Sequence, residues 1–207
     1  MIVAMWSGGK DSCLAVWRAV KNGLKVDRLV CMVQEGKSRA HGINTEIIRA
    51  QGEAMEMEIV FQESTWGNYE RRLKGVFREL GVKRAIFGDI YLQEHRDWIE
   101  RVCNEAGVEP IFPIWGDSTL ELAKEFILEG FEALIIAVRK DLPATLLGRR
   151  FDESFVEDVV KLGLDPCGED GEFHTYVYTG PIFKERVEFE VDGRFESDKY
   201  VHLRLRV

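Results

Sequence analysis

The 207-residue sequence has no long apolar run, no excess of basic charge and only four scattered cysteines, and each shortage removes a class of protein. No stretch approaches the about eighteen apolar residues of a membrane helix, so no membrane partner is expected. Lys and Arg number 28 against 36 Asp and Glu, a formal net charge of -8. A general nucleic-acid binder needs a basic face for phosphates, and no strong nucleic-acid signal is present. A local basic pocket for a triphosphate is not excluded. Met1-Ile2-Val3-Ala4-Met5-Trp6 carries no basic region and no long apolar stretch, so a cytoplasmic protein without a secretion signal is expected. Cys13, Cys31, Cys103 and Cys167 lie far apart and form no CxxC pair, which predicts reduced, core-packed thiols. A zinc site would need clustered ligands, which the sequence does not offer. There is no internal repeat and no low-complexity segment.

What is present is an ordinary globular mix, 45% apolar and 31% charged, enough for one large domain or one domain with a smaller appendage. Short apolar runs alternate with amphipathic stretches over the first two-thirds. The runs 2–5, 29–33, 59–61, 85–87 and 133–138 predict strands. Helical spacing predicts helices over about 12–20, 44–57, 69–80 and 120–128, with another after Asp89 that carries Ile99, Val102, Cys103 and Ala106. Gly81 marks a helix stop. Strands apolar throughout and separated by helices imply a parallel sheet covered on both faces. Ligands bind beyond the carboxyl ends of such strands, which selects the loops after Met5, Val33, Phe87 and Val138.

The tail differs. Val187, Phe189 and Val191 alternate with acids, Val201, Leu203, Leu205 and Val207 alternate with polar residues, and Asp192-Gly193 is a turn signal between them. This predicts an antiparallel hairpin with one wet face. The expected organisation is a first domain over 1–135 and a smaller C-terminal α+β domain over 136–207, holding antiparallel strands and binding the substrate.

Ser7-Gly8-Gly9-Lys10-Asp11-Ser12 follows a strand and opens a helix. Two glycines allow a sharp turn and a close approach to an anion, and free amides at the helix start point at that anion. Ser7 and Ser12 add hydroxyls and Lys10 adds charge. Asp11 would repel a bare phosphate, so it is expected to face a magnesium ion. The spacing is not GxxxxGK[ST], so this is not the common NTPase loop.

SGGKDS resembles the pyrophosphate loop of the N-type ATP pyrophosphatases, the PP-loop superfamily. Within it, the likeness to the diphthine–ammonia ligases extends through residues 41–44, 88–90, 95–103 and 113–116 to Cys167-Gly168-Glu169-Asp170-Gly171-Glu172-Phe173-His174-Thr175. The resemblance implies an α/β fold, a HUP/Rossmann-like parallel sheet with flanking helices, followed by a smaller domain with the substrate pocket between them. It implies ATP and Mg2+, adenylation of an acceptor oxygen, release of pyrophosphate, and displacement of AMP by ammonia to form an amide. One position departs: the ligases carry glutamate where this chain has His174. A sister group with GEFH, linked by association to cobalamin metabolism, resembles the chain here.

Glu169, Glu172 and His174 sit in a glycine- and acid-rich segment expected to lie outside the core. Two carboxylates and an imidazole can hold a second metal, orient a nucleophile or carry a proton. Next to them stand an exposed acidic turn and a chance histidine as the bland alternative. His41 and Asn44 are placed where a base or ribose would lie, and Asn44 also suits a helix cap. Gly88 and Asp89 end a strand, suiting a metal, a ribose or a plain turn. His95 could face the site or cover an apolar stripe. Arg139, Lys140 and Asp141 could meet phosphate or be surface charge. Trp66, Trp98 and Trp115 are expected in core or interface, and Arg149-Arg150 on the surface.

The leading expectation is an ATP-dependent ligase in which Ser7, Gly8, Gly9 and Ser12 hold the β- and γ-phosphates and Lys10 balances their charge. Asp11 would position magnesium, while Glu169, Glu172 and His174 shape the acceptor pocket. The partners are then ATP or AMP and an acceptor the sequence does not identify. A thiolation enzyme, for which Cys13 or Cys167 would have to carry sulfur, and a non-catalytic ATP or AMP sensor are the alternatives. No glutaminase domain is visible, and the oligomeric state stays open, a homodimer included.

Overall fold

The structure, a computed structural model, describes residues 1–38 and 42–207. The first half alternates strand and helix as the periodicity requires: β1 (Ile2–Met5), α1 (Lys10–Lys21), β2 (Arg28–Gln34), a short β3 (Lys37–Ser38), α2 (Thr45–Met55), β4 (Ile59–Glu63), α3 (Tyr69–Glu79), β5 (Arg84–Ile86), α4 (Gln93–Ala106) and β6 (Glu109–Ile111). Gly81, at φ +63, follows the end of α3, where it was expected as a stop. β3 and β6 were too short to show as apolar runs.

Strands β4-β2-β1-β5-β6 lie side by side and all their pairings are parallel, while β3 returns antiparallel on the end of β2. β1 is the innermost strand, and the chain winds away from it on both sides. The crevice for a ligand therefore opens at the carboxyl ends of β1 and its neighbours β2 and β5.

The second half continues with α5 (Thr119–Leu128), β7 (Glu132–Arg139), a 3-10 turn over 144–146, α6 (Glu153–Lys161), β8 (Phe173–Thr179), β9 (Glu190–Glu196) and β10 (Tyr200–Arg206). Ser118 caps α5 through the amide of Glu121, and Asp152 caps α6 through that of Phe155. α6 was not anticipated. Its strands form a separate antiparallel sheet in the order β8-β7-β10-β9.

Two expectations are corrected here. β7 is not part of the parallel sheet, so the loop after Val138 does not stand at its carboxyl edge. β7 reads apolar throughout because it lies between β8 and β10 with consecutive residues buried from both faces, a condition any inner strand can meet. Asp192-Gly193 is not the hairpin turn. β9 runs straight through it, and the pairs Leu203↔Arg194 and Leu205↔Val191 leave two residues opposite Arg204, a β-bulge with Gly193 at φ +97. The chain reverses after Glu196, where the Ser197 amide donates to the Tyr200 carbonyl and the Tyr200 amide to Ser197 Oγ. The boundary expected between 135 and 136 falls inside β7.

One hydrophobic cluster joins the buried faces of α1 and α2 to β7, β8, α5 and α6, and a second packs α3 and α4 on the other face of the parallel sheet. Helices α1 and α2 thus lie between the two sheets, with α1 against β8 and α2 against β10. No helix among the described residues is long and apolar enough to cross a membrane.

Candidate active site

Beyond the ends of β1, β2 and β5, a cavity of about 340 Å³ gathers the loop residues Ser7, Lys10, Asp11 and Ser12 with Gly88, Asp89 and His95. From the second half come Cys167, Gly168, Glu169, Gly171, His174 and Thr175. Residues from both ends of the sequence, Ser7 and Thr175 among them, therefore face one space, between the parallel sheet and β8.

The loop is built from the inside. Gly8 has φ +81, a conformation L side chains rarely adopt, whereas Gly9 is extended. The Gly8 carbonyl accepts from the β8 amide of Val177 at 3.0 Å and from Gln51 Nε2 at 2.9 Å. The side chain of Gln51, fully buried on α2, also donates to the Val177 carbonyl at 2.6 Å and accepts from Trp6 Nε1 at 3.0 Å. Gln51 was missed by sequence reasoning. It lies four residues after Ile47 on the apolar stripe of α2, and a glutamine at such a position is the signal that could have found it.

The amides at the helix start are not all turned to the cavity. The amide of Lys10 donates to Thr175 Oγ1 at 3.0 Å, and that of Gly9 to Ser7 Oγ at 3.3 Å. Ser12 Oγ donates to the Gly9 carbonyl and lies 3.1 Å from Ser7 Oγ. This corrects the expectation of free amides: hydroxyl side chains satisfy the amides of Gly9 and Lys10 internally. Thr175, quoted in the motif but given no role, is the second residue the sequence did not reveal.

Lys10 and Asp11 form a pair, with Nζ at 2.9 and 2.8 Å from the two carboxylate oxygens. Lys10 is 5% exposed, and its ammonium also lies 5.8 Å from the ring centres of Phe151 and Phe173. Burial pulls the Lys10 pKa down, but the neighbouring carboxylates, Asp11 first and then Glu169, outweigh it and hold Lys10 above its ordinary value. Lys10 therefore lines the cavity as an ammonium already paired with Asp11.

Gly88 packs on the start of α1 so tightly that a Cβ would lie 2.9 Å from the Asp11 carbonyl carbon and 3.0 Å from the Ser12 nitrogen. Asp89 lies 3.6 Å from Nδ1 of His95, an exposed side chain that faces the cavity. Burial, then the charge of Asp11, raise the Asp89 pKa against the pull of His95. Glu169 accepts from the Ile90 amide at 3.3 Å, and burial followed by the negative charge of Asp11 pushes its pKa up to about 7.

Glu172 departs from expectation: it is 4% exposed, hence core, and does not line the cavity. Its carboxylate turns inward because Oε1 accepts from the Asp165 amide at 3.1 Å. His174 lines the cavity with its ring 5.0 Å from that of Tyr200. Burial first, then the charges of Lys10 and His202, lower its pKa to about 4, so it is neutral at pH 7. The neighbouring glutamates do not raise it.

Other candidates fall elsewhere. Asn44 precedes α2 without a side-chain cap and lines a separate cavity of about 220 Å³ with Lys37, His202 and Arg204. His41 lies outside the described residues. Arg139 pairs with Asp141, and Lys140 with Glu196, away from the cavity. Trp66 is 83% exposed and stacked on Tyr69, neither core nor covered, because it sits in the loop between β4 and α3. Trp98 and Trp115 are half-buried against Tyr69 and Phe112. Arg149 and Arg150 pair with Asp158 and Glu132. All four cysteines are buried free thiols. Cys167 Sγ donates to the Thr119 carbonyl, and burial pushes its pKa up, as it does for Cys13.

Comparison with known proteins matches both halves of the chain. The profile of the diphthamide synthase N-terminal domain matches residues 1–110, and that of the diphthamide synthase C-terminal domain residues 118–205. Diphthine–ammonia ligase of Homo sapiens is 26% identical over 218 residues, covering 90% of this chain and 81% of that protein. The Rattus norvegicus enzyme is 23% identical over 219 residues, with the same coverage of each chain. The Schizosaccharomyces pombe enzyme is 24% identical over 216 residues, but these make up only 35% of its length. Because the two profiles run from the strand before the Ser7–Ser12 loop to the last strand of the antiparallel sheet, the chain belongs to the diphthamide synthase family of PP-loop ATP pyrophosphatases.

Proposed function

We propose that the chain is an ATP-dependent ligase that cleaves ATP to AMP and pyrophosphate, adenylates an acceptor and passes it to ammonia as an amide. The observation that carries this reading is the single cavity in which the Ser7–Ser12 loop meets Asp89, Glu169 and His174. The β- and γ-phosphates rest on Ser7, Gly8, Gly9 and Ser12 at the start of α1, favoured by its dipole. The α-phosphorus then faces the side of the cavity built by the second half of the chain.

A magnesium ion fits this donor set as a companion of the phosphates. No group of three or more His, Cys, Asp or Glu that could hold a metal alone occurs among the described residues. Magnesium, however, is commonly held by one or two carboxylates together with phosphates and water. Asp11 raises the pKa of both Asp89 and Glu169, a mutual repulsion that a cation relieves. Bound there, magnesium neutralises charge on the phosphates. Asp11 and Asp89 would hold it, Lys10 keeps Asp11 in place, and Glu169 can accept a proton from the incoming nucleophile near neutral pH.

The neutral His174 points to an acceptor other than diphthine, in line with the GEFH-type sister group. A glutamate there would attract the cationic trimethylammonio group of diphthine, and an uncharged imidazole does not. Sulfur transfer is disfavoured because the thiols of Cys13 and Cys167 are buried and held protonated.

The test has two arms. The protein is incubated with ATP, magnesium, ammonium and a small-molecule cell extract, and the nucleotides are separated. AMP with equimolar pyrophosphate is expected; ADP in stoichiometric amount, or no turnover despite ATP binding, overturns the ligase reading. In the second arm, diphthine-modified elongation factor replaces the extract. Amide formation by His174→Glu alone supports the acceptor assignment, and robust amidation by the native chain refutes it.

A further inference from the structure

A chain of hydrogen bonds behind the cavity wall joins the two halves of the protein. Glu172 opens it from the core: Oε1 accepts from the Asp165 amide, while Oε2 is buried without a hydrogen-bond partner among the described residues. Asp165 Oδ2 alone accepts two amides, that of Cys167 at 3.0 Å and that of Glu169 at 2.9 Å. Glu169 then reaches across to the Ile90 amide, in the loop after β5. The segment between Asp165 and Glu172 contains Gly168 and Gly171, so its own backbone preferences do not fix it. A side chain that satisfies two amides within four residues does.

We propose that Asp165 is a positioning residue of the site. It does not line the cavity, but it sets the turn that holds Glu169 on the cavity wall and against the Ile90 amide. The functional half of this inference rests on the reading that the cavity takes ATP. Its structural half does not. Glu172 anchors Asp165 from behind through Oε1. The segment is thereby a strap from the antiparallel-sheet half to the parallel-sheet half, and Asp165 is its knot. Without it, Glu169 is released from Ile90 and from its place opposite Asp11.

The experiment compares Asp165→Ala, Asp165→Asn, Glu169→Ala and the Asp165→Ala/Glu169→Ala double variant by two readouts. The first is amide exchange of Ile90 followed by NMR, which needs no ligand. Asp165→Ala and Glu169→Ala are expected to speed it by about tenfold, the worth of one hydrogen bond, and Asp165→Asn, whose carbonyl oxygen can take the same two amides, to leave it unchanged. The second is the affinity for ATP with magnesium, measured by calorimetry. It should shift by about fivefold or more in Asp165→Ala, return with Asn, and show no further change when Asp165→Ala is added to Glu169→Ala. Unchanged Ile90 exchange in folded Asp165→Ala overturns the proposal, and so do additive effects of the two substitutions on ATP affinity. If the native chain binds no ATP, the ATP reading fails while Ile90 exchange still decides the strap. Should Asp165→Ala fail to fold, Asp165→Ser replaces it. Its hydroxyl takes such amides more weakly than a carboxylate or an amide oxygen, so Ile90 exchange faster than in Asp165→Asn is expected, and exchange at the native rate overturns the proposal.

Discussion

The backbone amide of Lys10 donates to Thr175 Oγ1 at 3.0 Å, so the first turn of α1 is capped by a strand 165 positions further along the chain. The phosphate loop and the acidic segment are one structure. Thr175→Val keeps the shape and removes the acceptor, which leaves a buried amide unpaired at a cost of about 1–3 kcal/mol. A loss of that size in the unfolding free energy measured with urea, with weakened ATP binding, is expected. Thr175→Ser should retain most of both.

Gly88 holds its place by closeness rather than by chemistry. In Gly88→Ala the new methyl would meet backbone atoms of Asp11 and Ser12 at 2.9–3.0 Å, and backbone cannot swing aside. Overpacking of this kind costs about 1–3 kcal/mol. The melting temperature and ATP affinity of the variant should fall together; a fully native ATP affinity would show that the loop after β5 moves independently of the cradle.

Asp11→Asn removes the partner of a buried ammonium. Breaking a fully buried pair costs about 3–5 kcal/mol, but Asp11 is 27% exposed, so a loss of about 1–2 kcal/mol is expected. Magnesium-dependent ATP turnover should fall by more than that stability loss explains. Chemical unfolding beside pyrophosphate release at a fixed, non-denaturing temperature separates the two effects.

Glu169 and His174 give opposite pH dependences. The Glu169 carboxyl is raised from 4.5 to about 7, so the folded protein keeps a proton that the unfolded chain has released, and stability is lost as pH rises through that window. His174 is lowered from 6.5 to about 4, so the folded protein refuses a proton that the unfolded chain accepts, and stability is lost as pH falls through that window. Glu169→Gln should therefore be more stable than the native chain near pH 8 and equal to it near pH 4. His174→Gln should flatten the acid limb between about pH 6.5 and 4. Denaturation midpoints across a pH series read both, and a native-like slope in either variant refutes its assignment.

Much of the architecture was legible because period and punctuation are local properties. The runs at 2–5 and 29–33, the helical stripe of about 44–57 and Gly81 after α3 each specify their own stretch of backbone. What misled was also local. Asp192-Gly193 suits both a tight turn and a bulge, and only the pairing of β9 with β10 selects the bulge. Residues 133–138 read as a parallel strand because burial on two faces leaves the same apolar pattern in either sheet.

By itself the sequence determined the phosphate loop, the acidic segment and the alternation that builds a parallel sheet, since each is written in contiguous residues whose backbone and chemistry act over one turn. Only the tertiary structure decided that Gln51 and Thr175 hold the loop, that Glu172 faces the core while Glu169 faces the cavity, and that His174 is uncharged. Those outcomes depend on which distant groups exclude water from a side chain or offer it a hydrogen bond. Neighbours in space set that, and spacing along the chain does not encode it.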